Sequence, residues 1–128
     1  MKEVSFLEWE FKKGVPIYMQ IIEKMEMDLL SGKYKPGDKL PSVRDMAMEA
    51  GVNPNTMQKA FSEMERSGLI YTERTAGRFV TTDHGRISAL KSELSVKYLD
   101  ELFETLHSLG FTDSEILSAV KEKCEGEE

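Results

Sequence analysis

The clearest periodicity along the chain begins at Ile17, where apolar residues recur at Ile17, Ile21, Met25 and Leu29, flanked by Tyr18, Ile22 and Leu30. That three-to-four spacing is one buried face of a helix, about four turns long at 3.6 residues per turn, and Ser31-Gly32 stops it. Upstream, Leu7, Trp9 and Phe11 alternate loosely as far as Gly14-Val15-Pro16. This reads as an extended arm lying on the domain, with Pro16 pre-set for the first helical turn. Lys35-Pro36-Gly37-Asp38 is a turn by composition, and Leu40-Pro41 leads to a new start signal. Ser42 can cap a helix, Asp45 occupies the capping-box position, and Met46-Ala47 form a short apolar face that Gly51 ends. After Val52, Asn53 is a good N-cap and Pro54 a good first helical residue. Met57, Ala60, Phe61 and Met64 then make one stripe that stops at Gly68. The opposite face is Asn55, Gln58, Lys59, Ser62, Glu63 and Arg66, with Thr56 beside Asn55.

Two β-branched and aromatic runs follow, Leu69 to Thr72 and Arg78 to Thr81, separated by Glu73-Arg74-Thr75-Ala76-Gly77. They predict a small hairpin with a glycine in its tip. Beyond it Asp83 is an N-cap candidate, and Ile87, Leu90, Leu94, Tyr98, Leu102, Leu106 and Leu109 sustain helical spacing to Gly110. A helix of roughly 25 residues, ~37 Å at 1.5 Å per residue, is expected. Thr112 with Glu115 is a capping box for a last helix whose apolar residues are Ile116, Leu117 and Val120, and Glu125 to Glu128 is an acidic end expected to fray. The predicted architecture is mainly α with a small β-hairpin, a winged helix-turn-helix domain over 1–82, including the arm, followed by a two-helix tail over 83–128.

Charge changes the picture only when divided. The chain is net −6, but residues 1–80 carry 12 Lys/Arg and 12 Asp/Glu, so the whole excess of acid lies after residue 80. The first 80 residues are therefore judged for partners on their own. The apolar fraction of 40% and charged fraction of 31% fit a folded globular chain, and 128 residues suit one domain with an attachment. Met1-Lys2-Glu3 opens no basic-then-apolar leader, and no stretch approaches the ~20 apolar residues of a spanning helix. A cytoplasmic protein without membrane association is expected. Cys124 is the single cysteine, which suits a reducing compartment and supplies no second thiol. His84 and His107 stand most of a long helix apart, so neither a metal nor a cofactor is expected. No serine, histidine and acid arrangement, no phosphate-cradling glycine loop and no paired carboxylates suggest an enzyme.

The second helix of a helix-turn-helix enters a major groove N-terminus first, where long planar donors and acceptors read base edges. Arg44, Asn53, Asn55, Thr56, Gln58 and Lys59 are those residue types at that place. The dipole and free N–H groups of a helix N-terminus favour a phosphate oxygen there. Arg74 and Arg78, on either side of Gly77, suit a wing that tracks adjacent phosphates or enters a minor groove.

The residues Pro16-Ile17-Tyr18, Gln20-Ile21, Gly32, the run from Pro36 to Arg44, Ala47, the run from Gly51 to Thr56, Glu65, Gly68-Leu69-Ile70 and Gly77-Arg78-Phe79-Val80 together resemble the winged helix-turn-helix of the GntR family of bacterial transcription regulators. The match is ordered and covers about residues 14–81. The resemblance implies that Arg44, which follows Leu40-Pro41-Ser42-Val43, reads the operator. It further implies that Asn53, Asn55 and Thr56, with Gln58 and Lys59 behind them, contact bases and phosphates, and that the wing tip is Arg74 to Gly77. The chain departs from many members at Thr75, where they have glycine after the basic wing residue, which puts close approach to a minor-groove floor at Gly77 rather than Thr75.

Only 47 residues follow Thr81, too few for the ligand-binding or aminotransferase-like domains of the large-tailed subfamilies. A two-helix tail resembles the YtrA-like subfamily, whose members are dimers often linked to operons for ATP-binding-cassette transporters. The long stripe of the tail has too little partner surface in one chain, so Leu90, Leu94, Tyr98, Leu102 and Leu106 are expected at a homodimer seam. The expected function is a sequence-specific regulator, a repressor, acting as a homodimer on a palindromic double-stranded DNA operator. Any small-molecule effector would have to sit at that seam or beside the tail. The alternatives are a winged helix used as a protein–protein module and an architectural DNA-binding protein. Exposed apolar anchors on the third helix would mark the first, and equal affinity for random duplex the second.

Overall fold

The computed structural model describes residues 9–126. Leu7 of the arm, the opening Met1-Lys2-Glu3 and the last two glutamates of the acidic end lie outside the described residues. Five helices and one hairpin follow in the order α1 (Ile17–Ser31), α2 (Val43–Ala50), α3 (Pro54–Arg66), β1 (Ile70–Glu73), β2 (Gly77–Val80), α4 (His84–Ser108) and α5 (Asp113–Glu125). The chain divides into two compact units, Met1–Ala89 and Leu90–Glu128, with the division inside α4.

In the first unit α3 packs against α1, α2 and β1, because its apolar stripe is sealed on that side. Met57, Ala60, Phe61 and Met64 are buried, opposite Ile21, Met25 and Leu29 of α1 and Met46 and Ala47 of α2. Four of these buried side chains are thioethers, whose flexible, polarisable stems fill an irregular interior. Burial of a side chain of this size stabilises the fold by about 1.5–3 kcal/mol. The helix ends follow the start and stop signals. The Ser42 hydroxyl accepts from the Asp45 N–H at 3.0 Å, Asn53 Oδ1 accepts from the Asn55 N–H at 2.7 Å, and the Thr112–Glu115 capping box is complete. Pro16 stands just outside α1 as its N-cap, with extended ψ, rather than in the first turn. The arm lies along α1, held by Gln20: its side-chain oxygen accepts from the Lys12 N–H, and its amide donates to the carbonyls of Lys12 and Val15. Trp9 sits near Phe11 and Lys24, with the Lys24 ammonium 5.2 Å from the indole ring.

The hairpin is antiparallel, pairing Ile70 with Val80 and Thr72 with Arg78. Each strand begins one residue away from the sequence expectation, since Leu69 precedes the ladder and Gly77 joins it. The wing is also broader than a hairpin. The Leu40 N–H donates to the Arg78 carbonyl, the Val80 N–H to the Asp38 carbonyl and the Gly37 N–H to the Val80 carbonyl, each within 2.9–3.0 Å, and Lys39 bridges to Phe79. The segment read as a plain turn thus forms a short third rung on the free edge of β2.

α4 runs uninterrupted from His84 to Ser108, as its long apolar spacing predicts, and in the second unit Leu90 and Ile116 are fully buried. Much of its remaining apolar surface is open: Val96, Leu99 and Leu102 on α4, and Leu117 and Val120 on α5, are exposed.

Candidate nucleic-acid interface

The turn between α2 and α3 is short because Gly51 takes φ +72°, a left-handed conformation that costs a side chain on the order of 1–2 kcal/mol. Its N–H and that of Val52 close back onto α2 carbonyls. Asn53 then opens α3 at once, so the capped N-terminus of α3 is presented immediately after α2. From there Asn55, Gln58 and Lys59 are exposed, Thr56 is half-buried, and no large apolar residue interrupts the face. Gln58 donates to the Ser62 hydroxyl at 3.1 Å, which sets its amide along the helix. Arg66 pairs with Glu63, a solvated pair one turn further on.

Arg44 is exposed on the first turn of α2 and makes no ion pair with Asp45 or Glu49. Its guanidinium therefore retains its fork of donors. Lys59 behaves differently. Its ammonium lies 4.1 Å from the centroid of the Tyr18 ring, a cation–π contact that draws it toward α1. Nothing in the linear pattern of α3 announces this, because Tyr18 belongs to α1 and reaches Lys59 only through the packing of the two helices.

The wing carries two arginines in different settings. Arg74 is exposed in the turn, whereas Arg78 is half-buried, with its guanidinium carbon 5.7 Å from the Phe61 ring. The Arg78 Nε is buried and has no hydrogen-bond partner among the described residues. Strand alternation turns Arg78 inward relative to the tip, so it reaches less freely than Arg74. Between the wing and the start of α2 lies a groove of about 310 Å³ lined by Lys39, Leu40, Pro41, Ser42 and Arg74 to Arg78. Its lining includes three cationic residues and no acidic one. Lys39 was invisible to the sequence argument, because its place beside the wing depends on the extra rung at β2.

In the tail, Tyr98 and Leu102 are exposed and Leu94 and Leu106 half-buried, whereas Leu90 is only 1% exposed within its own chain. The apolar surface extends beyond that stripe to Val96 and Leu99, which sit on a neighbouring ridge of α4. At the α4–α5 turn His107 Nε2 lies 2.5 Å from Asp113 Oδ1, and Cys124 is exposed on α5. Among the described residues no group of histidine, cysteine and carboxylate side chains could hold a metal ion, and no helix is long and apolar enough to cross a membrane.

A family model described as bacterial regulatory proteins, gntR family, matches residues 17–80. The chain is 39% identical to the uncharacterized HTH-type transcriptional regulator YhcF of Bacillus subtilis over 117 residues, 91% of this chain and 97% of that one. It is 40% identical to the HTH-type transcriptional repressor YtrA of the same organism, over 70% of this chain and 73% of that protein. Among solved structures, a GntR family transcriptional regulator from Listeria monocytogenes superposes with a TM-score of 0.80 at 35% identity, covering 88% of this chain and 98% of that one. The DNA-binding domain of AraR in complex with an operator superposes over 56% of this chain and 93% of that one, with a TM-score of 0.53 at 27% identity.

Proposed function

The chain belongs to the gntR family of bacterial regulatory proteins, transcription regulators rather than enzymes, and from that premise we propose that it is a homodimeric repressor that binds a palindromic operator. The observation that carries the reading is the open polar face of α3, capped at Asn53 and set beside a cationic wing. In this reading Arg44, Asn53, Asn55, Thr56 and Gln58 meet base edges and phosphates in the major groove, while Lys59, Arg74, Gly77 and Arg78 follow the backbone. The 1–82 segment is the DNA-binding domain and 83–128 the dimerisation tail. The uncovered α4 residues Tyr98 and Leu102, with Leu94 and Leu106 beside them, form the twofold seam, and Leu90 supports it from the interior. A second copy would cover an apolar ridge that a soluble monomer avoids exposing. A twofold protein implies half-sites about one helical turn apart. Repression is favoured over activation because the relatives YtrA and NagR are named repressors.

The test is salt-dependent binding to DNA upstream of the gene, against a scrambled duplex of equal length. Specific binding should exceed scrambled binding. Its log–log salt slope should be about −7 for the dimer, at about 0.9 per phosphate neutralised by Arg44, Lys59, Arg74 and Arg78 in each protomer. Equal affinity for both duplexes would make the protein architectural, and binding to neither would end the DNA reading.

A further inference from the structure

We propose that the groove between the wing and the N-terminus of α2 is a seat for a phosphate oxyanion, and that on DNA it grips one phosphodiester of the backbone through Lys39 and Arg78, with Arg74 on the neighbouring phosphate. The inference rests on the DNA-binding reading and adds to it a residue, Lys39, and a place of contact.

Three observations converge on it. The groove of about 310 Å³ is lined by two arginines and a lysine and by no acidic residue. Like charges held together repel, and an anion is the complement that relieves them. The Arg78 guanidinium makes no hydrogen bond or ion pair among the described residues; its Nε is sealed from solvent, whereas its outer nitrogens are not and remain open to an incoming acceptor. An oxyanion brought against that guanidinium gives its donors a partner, and a guanidinium can meet a phosphate with two parallel N–H donors. The wall is also rigid. Lys39 is fixed to the wing by the hydrogen bonds of its neighbours Asp38 and Leu40 to β2, and its stem crosses close above Gly77. A Cβ at position 77 would stand 3.0 Å from Lys39 Cε, so the missing side chain is what lets the ammonium reach over the wing. Ser42 completes the lining from the other side. Its oxygen already caps α2, which leaves its hydroxyl hydrogen available to donate, and the positive end of the α2 dipole lies at that edge.

A phosphate seated here would fix the wing and α2 on the same stretch of backbone. Phosphate contacts of this kind set register rather than sequence. Lys39 and Arg78 thus act on all duplexes alike, whereas Arg44 discriminates among them.

The experiment uses the full chain with a short mixed-sequence duplex, over a series of salt concentrations. The Lys39→Gln/Arg78→Gln double variant should bind more weakly. Its log–log salt slope should be shallower by about 0.9 for each bound protomer, equivalent to about 3.5-fold less loss of affinity across a fourfold rise in salt. Lys39→Arg should restore most of what Lys39→Gln removes. A neutral methylphosphonate placed at each backbone position in turn should reproduce the loss at one position per half-site, and should add nothing there to the double variant. Circular dichroism melting of the variants checks that the fold is kept. Amide shifts of residues 39 and 74–78, titrated with inorganic phosphate, separate the two sources of the oxyanion. Shifts that DNA suppresses support the shared seat. If phosphate shifts these amides while the double variant leaves the duplex slope unchanged, the seat serves a free phosphate and the DNA assignment is overturned. If the wild-type chain binds the duplex and the double variant changes neither slope nor shifts, the seat is wrong and the DNA-binding reading survives. A wild-type chain that binds no duplex ends that reading, and the backbone contact with it.

Discussion

Replacing Gly77 by alanine should destabilise the first unit, and the structure says by how much. Gly77 has φ +118°, well beyond the left-handed basin near +57° that other residues visit. Backbone held in so sparse a region costs on the order of 1–3 kcal/mol once a Cβ is present. The added methyl would also stand 3.0 Å from Lys39 Cε, a contact that the flexible lysine can relieve only by swinging out of the groove. Against this, alanine reduces the freedom of the unfolded chain, which returns about 0.4–1 kcal/mol. The net loss should be about 1–2 kcal/mol, which at about 4–8 °C per kcal/mol for a unit of this size is a visible fall in Tm. Gly51→Ala is the matched comparison. Its φ of +72° lies closer to the left-handed basin and nothing stands within 4 Å of the added atom, so it should lose less. Urea unfolding followed by circular dichroism, with equal slopes required of all three chains, reads the difference. A Gly77→Ala chain with the parent midpoint would refute the claim that wing geometry depends on this residue.

Other outcomes follow from the same geometry. Arg44→Ala should cost about 1–3 kcal/mol of operator binding per half-site if the guanidinium meets a base in bidentate fashion; an equal loss on random duplex, read by anisotropy titration, would reduce Arg44 to a phosphate contact. Truncation after Thr82 should leave a monomer that binds half-sites poorly, and sedimentation of the shortened chain as a dimer would remove the tail from the assembly. Phe61→Ala, at a fully buried side chain of α3, should destabilise the first unit by about 3–5 kcal/mol and thereby weaken DNA binding, which calorimetry of the variant would show.

The parts of the fold that were legible in the sequence are those set by local chemistry. Ser42, Asn53 and Thr112 are caps because a short side-chain oxygen beside a run of free N–H groups has one favourable arrangement, and the structure places each as a cap. The stripe from Met57 to Met64 is read directly from helical period. Lys39 was illegible for the opposite reason. Pro36-Gly37-Asp38 has the composition of a turn, and its pairing with β2 arises only when the hairpin has folded beside it. Lys59 and Tyr18 are likewise brought together by the packing of α1 on α3, across some forty positions of chain. The inward turn of Arg78 is a matter of strand register, since a slip of one residue in the pairing of β2 with β1 would reverse which side it faces.

The thioether interior offers a chemical clock. Met25, Met46, Met57 and Met64 are sealed from solvent, while Met19, Met27 and Met48 stand open. Dilute peroxide should convert the open group to sulfoxides at the rate of a free methionine, and the sealed group only as often as the unit opens. Conversion of a sealed sulfur puts a polar S–O group into the apolar interior, so each such event should hasten the next, and oxidised molecules should accumulate in an all-or-none manner that intact-mass spectra resolve.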